Sequence, residues 1–332
     1  MDREQHELRS YGFFGIFRES FKIIFSWKKI FTQITLAFIL PLCVIFFAHF
    51  HIAEALFSRI NGYRSFLDDD ELGSPSYYEV SHFFSKRWIP YWFFKFAYFF
   101  ILLILSLLAT SAVVYAIACI YTSKPVSFKK VMSAVPKVWK RVLVTFLWSF
   151  LLVFVFNTIA GALFLLWAVI FSNRGGGIGI VILIILLVLY IAGVVYVAIL
   201  WHLACVISVL EEIYGIKALK KSRNLIKGKT GAAVGLVIIL GLCFGGTETV
   251  YQIFVVYVWT LNVGIRFAIG LGCLLLLVMV VLIALVIETV LYLVCKSHHH
   301  ETIDKPALSE HLEGYNWEYV PLKERNIQME QV

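Results

Sequence analysis

The chain has 332 residues, 61% of them hydrophobic and 15% charged. Soluble domains average about 45–50% apolar and about 25% charged residues, so a single soluble globule, a disordered chain and a disulfide-stapled secreted domain are all excluded. The net charge of +8 does not read as a nucleic-acid footprint, because the basic residues fall between long apolar runs and not along one soluble face. An anionic membrane surface is the expected partner, and no nucleic acid is expected.

The first ten residues, MDREQHELRS, are polar and mixed in charge, without the short apolar core and small-residue site of a cleaved signal peptide. The first apolar run is therefore expected to act as the targeting signal. Six stretches, 30–52, 91–121, 142–171, 178–210, 232–260 and 265–295, exceed the roughly 20 apolar residues that a spanning helix requires. Their continuous apolar character predicts helices and not the alternating strands of a barrel. The expected organisation is a cytosolic N-terminus over 1–29, a six-span domain over 30–295 and a cytosolic tail over 296–332.

Orientation follows from the lysines and arginines. Of the 29 such residues, 22 fall in the N-terminal segment, the second and fourth connections and the tail, and 7 on the opposite side. Both termini are accordingly expected in the cytosol. The third and fifth connections are short, so their flanking spans should be adjacent antiparallel pairs. The first external connection, 53–90, is the long one and carries Asp68, Asp69, Asp70 and Glu71, read as a solvated loop without the spaced ligands of a calcium site. Gly175, Gly176 and Gly177 read as a tight external turn. Cys43, Cys119, Cys205, Cys243, Cys273 and Cys295 lie in or at the ends of apolar runs with no CxxC pair, so neither disulfides nor zinc are indicated. No cofactor or metal is expected.

A basic segment with helical periodicity precedes the first, third and fifth spans. In the first, Arg18, Glu19, Lys22, Ser26 and Lys29 share one arc while Phe13, Ile16, Phe17, Phe21, Ile24 and Phe25 occupy the rest. In the second, Lys129, Lys130, Ser133, Lys137, Lys140 and Arg141 oppose Phe128, Val131, Val135 and Val138. The third sets Lys217, Lys220, Lys221, Asn224 and Lys227 against Leu219, Leu225 and Ile226, over a narrower face. The chain thus reads as all-α, six transmembrane helices in three repeats of one cytosolic amphipathic helix plus two spans. Pro136 and Gly228 interrupt the second and third segments. Such helices have the composition to lie in the headgroup layer, with Arg18, Lys22, Lys29, Lys129, Lys130, Lys137, Lys220 and Lys221 as candidate contacts to anionic lipid.

Two resemblances rest on these residues. The third unit, Glu211, Glu212, Ala218, Leu219, Ser222, Leu225, Lys227 and Gly228, resembles the signature after the fourth span of the prokaryotic membrane-domain family associated with glycerophosphodiester phosphodiesterases. The stretch 12–42, GFFGIFRESFKIIFSWKKIFTQITLAFILPL, is similar to a plant family of six-pass membrane proteins with no assigned biochemical role. The second resemblance covers nearly the whole chain and implies a six-pass membrane protein. The phosphodiesterase activity of the prokaryotic group belongs to a separate barrel that needs about 250 residues, so no catalytic residues carry over.

Polar and ionisable groups inside spans are functional candidates by default. Asn157, His202, Glu248 and Glu288 are the candidates here. At the helical rise per residue, Asn157 and Glu248 share a level near the midplane, and His202 and Glu288 share one nearer the cytosolic end. Gly245 and Gly246 suggest a kink beside Glu248. Two readings stand open: these groups line a polar cavity of a proton-coupled or cation-binding carrier, or each is hydrogen-bonded in the bundle and fixes helix register. Among weaker features, His298, His299 and His300 read as a solvated juxtamembrane run before a metal site. Cys119 and Cys295 stand where palmitoylation is chemically open, though packing is commoner. Tyr319, Val320, Pro321 and Leu322 fit a short sorting signal in the tail. No nucleophile arrangement or phosphate-cradling loop is present in the required context.

The expected function is a non-enzymatic membrane-organising or trafficking scaffold that contacts anionic lipid through its basic helices and a protein partner through its tail. It would reside in the endoplasmic reticulum and endomembranes or the plasma membrane. The rival is a small-solute or ion carrier built on the polar residues of spans three to six.

Overall fold

The computed structural model describes residues 11–69, 75–122, 126–171, 177–211, 213–258 and 262–299, with backbone alone at 55–69, 75–91 and 137. Among the described residues the fold is all-helical. In chain order the α-helices are α1 (Phe13–Ser26), α2 (Lys28–Ile34), α3 (Leu40–Asp69), α4 (Pro75–Tyr121), α5 (Phe128–Phe171), α6 (Gly177–Leu210), α7 (Ile216–Leu225), α8 (Thr230–Tyr251) and α9 (Val263–His298). A π-helical turn, Thr35–Ile39, joins α2 to α3, and a second, Gln252–Tyr257, continues α8.

Six helical stretches are long and apolar enough to cross a membrane: Lys28–Glu54, Trp92–Tyr121, Val138–Phe171, Gly177–Leu210, Thr230–Tyr257 and Val263–His298. They coincide within a few residues with the six runs read from the sequence. The helices alternate in direction. Glu211, Lys229 and His299 meet Lys296, Tyr11 and Leu225 at one end, and Tyr251 and Arg266 meet Phe47 and Val255 at the other. The first of these is the basic end, since it gathers the lysine-rich segments.

The expected three-fold unit is not uniform. The first basic segment is a separate helix, α1, ended at Trp27, whose backbone leaves helical geometry at φ −115° and ψ 38°. The third is also separate. It forms α7, a mostly polar helix that buries only Ala218, Ser222 and Leu225. The second segment is instead the first turns of α5, which runs unbroken through Pro136. Proline there removes one backbone hydrogen bond, but Val131, Ala134, Val135 and Val138 are buried on both sides of it and packing holds the axis.

The connection over 53–90, expected to be an external loop, also differs from a loop. Helix α3 continues to Asp69 and α4 begins at Pro75, a first helical position where the missing N–H removes nothing. Asp70 and Glu71 lie outside the described residues, as do Gly175, Gly176, His300 and the tail with Tyr319 to Leu322. Helix α8 runs through Gly245 and Gly246 without a break. Its departure from α geometry comes later, at Gln252.

Helix α9 is the axis of the bundle and packs on α1, α3, α4, α6, α7 and α8. The core sits toward the basic end, where Ala112–Ala116, Ile199–Leu210 and Val286–Cys295 are nearly all buried. In the most apolar stretch of α4, 56% of residues are buried, against 6% in α5 and in α6. The α5–α6 hairpin therefore leans on the bundle by its basic end and leaves its opposite half exposed, an apolar surface that water would not tolerate. Across the hairpin Trp167 Nε1 donates to the Gly179 carbonyl at 2.9 Å.

Two glycines allow the basic end to close. Gly215 has φ +65°, turning the chain from α6 into α7, and its N–H donates to Thr145 Oγ1 at 2.9 Å. Gly228 has φ +94°, and a Cβ there would stand 2.6 Å from the His298 ring. Substituting alanine for Gly228 meets both a left-handed backbone and a clash, so Gly228→Ala should destabilise the protein by about 1–3 kcal/mol. Gly231→Ala, where a Cβ meets nothing within 4 Å, should leave the melting temperature of the detergent-solubilised protein unchanged. Equal melting temperatures for the two variants would contradict this.

Candidate functional site

A connected polar cluster stands at the basic end, just past α6. Glu211 Oε1 accepts from the Tyr292 hydroxyl at 2.7 Å and from Lys296 Nζ at 2.8 Å. Its other oxygen lies 2.8 Å from Lys221 Nζ. Lys296 also donates to the Tyr292 oxygen at 3.2 Å. Tyr292 and Lys296 are four residues apart on α9 and so share a face. Lys221 reaches the carboxylate because Gly215 turns α7 back along α6, where Ser222 Oγ donates to the Leu200 carbonyl at 3.0 Å.

The side chains of Glu211, Lys296 and Lys221 are 12%, 19% and 25% exposed. Burial alone opposes ionisation of Glu211, but the hydrogen bonds from Lys221, Lys296 and Tyr292 outweigh it and hold its carboxyl below the ordinary glutamate range. The residues of the Glu211-to-Gly228 signature thus act as one joint. Glu211 is its anchor, Ala218, Ser222 and Leu225 are its buried face, and Gly228 is its turn. Glu212 lies outside the described residues. His298 packs on Gly228, and His299 Nε2 lies 3.0 Å from the Leu225 carbonyl. Both histidines touch the joint, His298 half-buried and His299 still exposed.

The four intramembrane candidates fall into separate places. His202 and Glu288 meet, Nδ1 to Oε1, at 2.9 Å, with side chains 45% and 13% exposed. Asn157 is exposed: its Nδ2 donates to the Val153 carbonyl at 2.8 Å and its Oδ1 accepts from the Tyr190 hydroxyl at 3.0 Å. Glu248 accepts from Gln252 Nε2 at 3.1 Å on its own helix. The shared level of His202 and Glu288 becomes a contact. That of Asn157 and Glu248 does not.

Among the basic-face candidates, Arg18, Lys22, Lys29, Lys129 and Lys220 are exposed and Lys130 is half-buried. Lys22 lies 3.7 Å from Glu19. Lys221 turns inward to Glu211, and the side chain of Lys137 lies outside the described residues. Helix α1 has three strips: Ile16, Ser20, Ile23 and Ile24 are buried against the bundle, Phe14, Phe21 and Phe25 are exposed, and Arg18 and Lys22 stand beside them. Between α1, α2 and the start of α5 lies a groove of about 690 Å³ lined in part by Trp27, Lys28, Lys29, Gln33 and Ser127.

Cys119 and Cys295 are buried, which agrees with a packing role. Among the described residues no group of three His, Cys, Asp or Glu side chains is placed to hold a metal. Sequence reasoning missed a cavity of about 560 Å³ at the opposite end, where His51 and Arg266 stand on an otherwise largely apolar lining.

The model of the family described as Domain of unknown function (DUF8558) matches residues 1–332. The chain belongs to that family. No curated protein and no solved structure matches the chain.

The sign of the Glu211 shift sets a pH dependence. A carboxyl held below its unfolded value, near 4.3, contributes its stability in full above that value and loses it as pH falls through the folded one. The melting temperature of the wild type should therefore drop below about pH 4 by more than that of Glu211→Gln. At neutral pH that variant should be less stable by about 1.5–3 kcal/mol, since Lys221 and Lys296 lose their common counter-charge. Parallel melting curves for the two proteins from pH 7 to pH 3 would contradict the assignment.

Proposed function

We propose that this protein is a non-enzymatic, multi-pass membrane scaffold whose basic end faces the cytosol, with both termini there, and binds anionic lipid. The observation that carries the reading is the charge sorting: 22 of the 29 lysines and arginines belong to one side, and Arg18, Lys22, Lys29, Lys129 and Lys220 are exposed. Exposed Phe14 and Phe25 beside Arg18 and Lys22 give α1 the amphipathic edge of an interfacial helix. The groove at Lys28 and Lys29 is of a size and charge to take a phosphate headgroup. The tail after α9 is the segment we assign to a protein partner. Endoplasmic reticulum, endomembranes or the plasma membrane all present anionic lipid on the cytosolic leaflet. The sequence resemblance to six-pass plant proteins and to the membrane-domain family named above is in keeping with this role.

The carrier reading draws less support, because Asn157, His202, Glu248 and Glu288 are each satisfied locally and none lines either of the two cavities described. The test is lipid preference in nanodiscs that mix phosphatidylserine with phosphatidylcholine. The triple variant Lys22→Glu, Lys29→Glu, Lys220→Glu should lose most of the wild-type enrichment of phosphatidylserine, each lysine being worth about 1 kcal/mol at an anionic surface. Unchanged enrichment would refute the reading. So would proton- or cation-driven uptake into proteoliposomes that Glu288→Gln abolishes.

A further inference from the structure

The cavity at the opposite end lies between α3, the π-helical turn Gln252–Tyr257 with the end of α8, and α9. Its volume of about 560 Å³ is within the range of about 300–1,000 Å³ typical of small-molecule sites. One side of it is aromatic: Phe47 and Tyr251 stack with ring centroids 3.9 Å apart. Val255, Phe267, Leu271 and Leu274 make up much of the rest. Its polar groups are gathered at one level. His51 is near the end of the first candidate span, Arg266 is near the start of the sixth, and none of the described lining residues is acidic.

Two local features build this shape. The π-helical turn widens the end of α8 and offers the Val255 carbonyl, which accepts from Arg266 Nη2. This bond ties the guanidinium to the cavity wall instead of letting it extend outward as an interfacial arginine would. π-helical turns recur at ligand sites because the extra residue frees backbone groups from the helix ladder. Gly270 is the second feature. It lines the cavity one turn below Arg266 and leaves its volume open. From Arg266 to Leu274 the wall descends about 12 Å at the helical rise, a slot that is charged at the top and apolar below.

We propose that this cavity binds a single-chain amphiphile with an anionic head, of the fatty-acid class, its carboxylate at Arg266 and His51 and its alkyl chain along Phe267, Leu271 and Leu274. A carboxylate matches the forked guanidinium donors. Phe267 and Leu271 are exposed, so the alkyl chain lies in a groove open on that side, and the charged head at Arg266 and His51 decides which amphiphile is held there. The proposal does not depend on lipid contacts at the basic end, since the site is at the other end of the bundle.

The experiment uses the full chain in phosphatidylcholine nanodiscs, with dodecanoate carrying a diazirine on its chain as probe and peptide mapping as readout. Labelling should concentrate in peptides that hold Phe47 to His51 and Phe267 to Leu274, and excess dodecanoate should displace it. Arg266→Gln should weaken it at least ten-fold, while the matching dodecanol probe should label wild type and Arg266→Gln alike. Gly270→Leu, whose added Cβ meets only ordinary contacts, should fill the slot and abolish labelling by both probes with the melting temperature retained. Label spread evenly over the exposed faces of α5 and α6, or undiminished in both variants, would overturn the proposal. Displacement by added phosphatidylglycerol as effective as by dodecanoate would also overturn it, by assigning the cavity to bilayer lipid. Failure of the phosphatidylserine test at the basic end would leave this result standing.

Discussion

A carboxylate that must remain ionised while nearly buried is the constraint on which the basic end depends. Glu211 stands between Lys221 of α7, Lys296 of α9 and the Tyr292 hydroxyl, all at 2.7 to 2.8 Å. Were the carboxylate absent, Lys221 and Lys296 would be left as two like charges without a common counter-charge in a semi-buried site. The joint ties the end of the fourth candidate span to the sixth, and through α7 it sets where the fifth begins. Gly215 and Gly228 are the backbone conditions for that closure. Ser222 on Leu200 and His299 on Leu225 are its further hydrogen bonds.

From this joint the distribution of packing follows. The core is densest where α4, α6 and α9 converge at the basic end, and it thins along α5 and α6 toward the other. In water such a molecule would expose long apolar surfaces; in hydrocarbon these surfaces need no partner. The two ends are then free to differ in chemistry. One carries exposed lysines and aromatic residues suited to headgroups. The other holds an apolar slot topped by an arginine, between helices whose geometry a π-helical turn has opened.

Much of this was legible in the sequence, for physical reasons. Six apolar runs longer than a bilayer can only be helices, and they are. The common level of His202 and Glu288 came from helical rise alone and proved to be a contact. Level without azimuth was not enough for Asn157 and Glu248, whose side chains instead bond Tyr190 of the neighbouring helix and Gln252 of the same helix. Pro136 misled because tertiary burial around it outweighs one lost hydrogen bond, and the first external connection because apolar composition does not reveal how far helices α3 and α4 extend. Lys221 was indistinguishable from Lys220 by charge and spacing, yet the turn at Gly215 sends one to Glu211 and leaves the other exposed. The cavity at Arg266 was invisible because it rests on a helical widening that no residue pattern announces.

Closure of the basic end requires Glu211 and Lys296 to act as one unit, and a double-mutant cycle measures that directly. Melting free energies of wild type, Glu211→Gln, Lys296→Met and the double variant, taken in one detergent at neutral pH, give the coupling between the two side chains. The structure predicts a coupling of about 1–3 kcal/mol, with the double variant less destabilised than the sum of the single changes. Strict additivity within about 0.3 kcal/mol would contradict it, because a joint held by this carboxylate cannot lose its two halves independently.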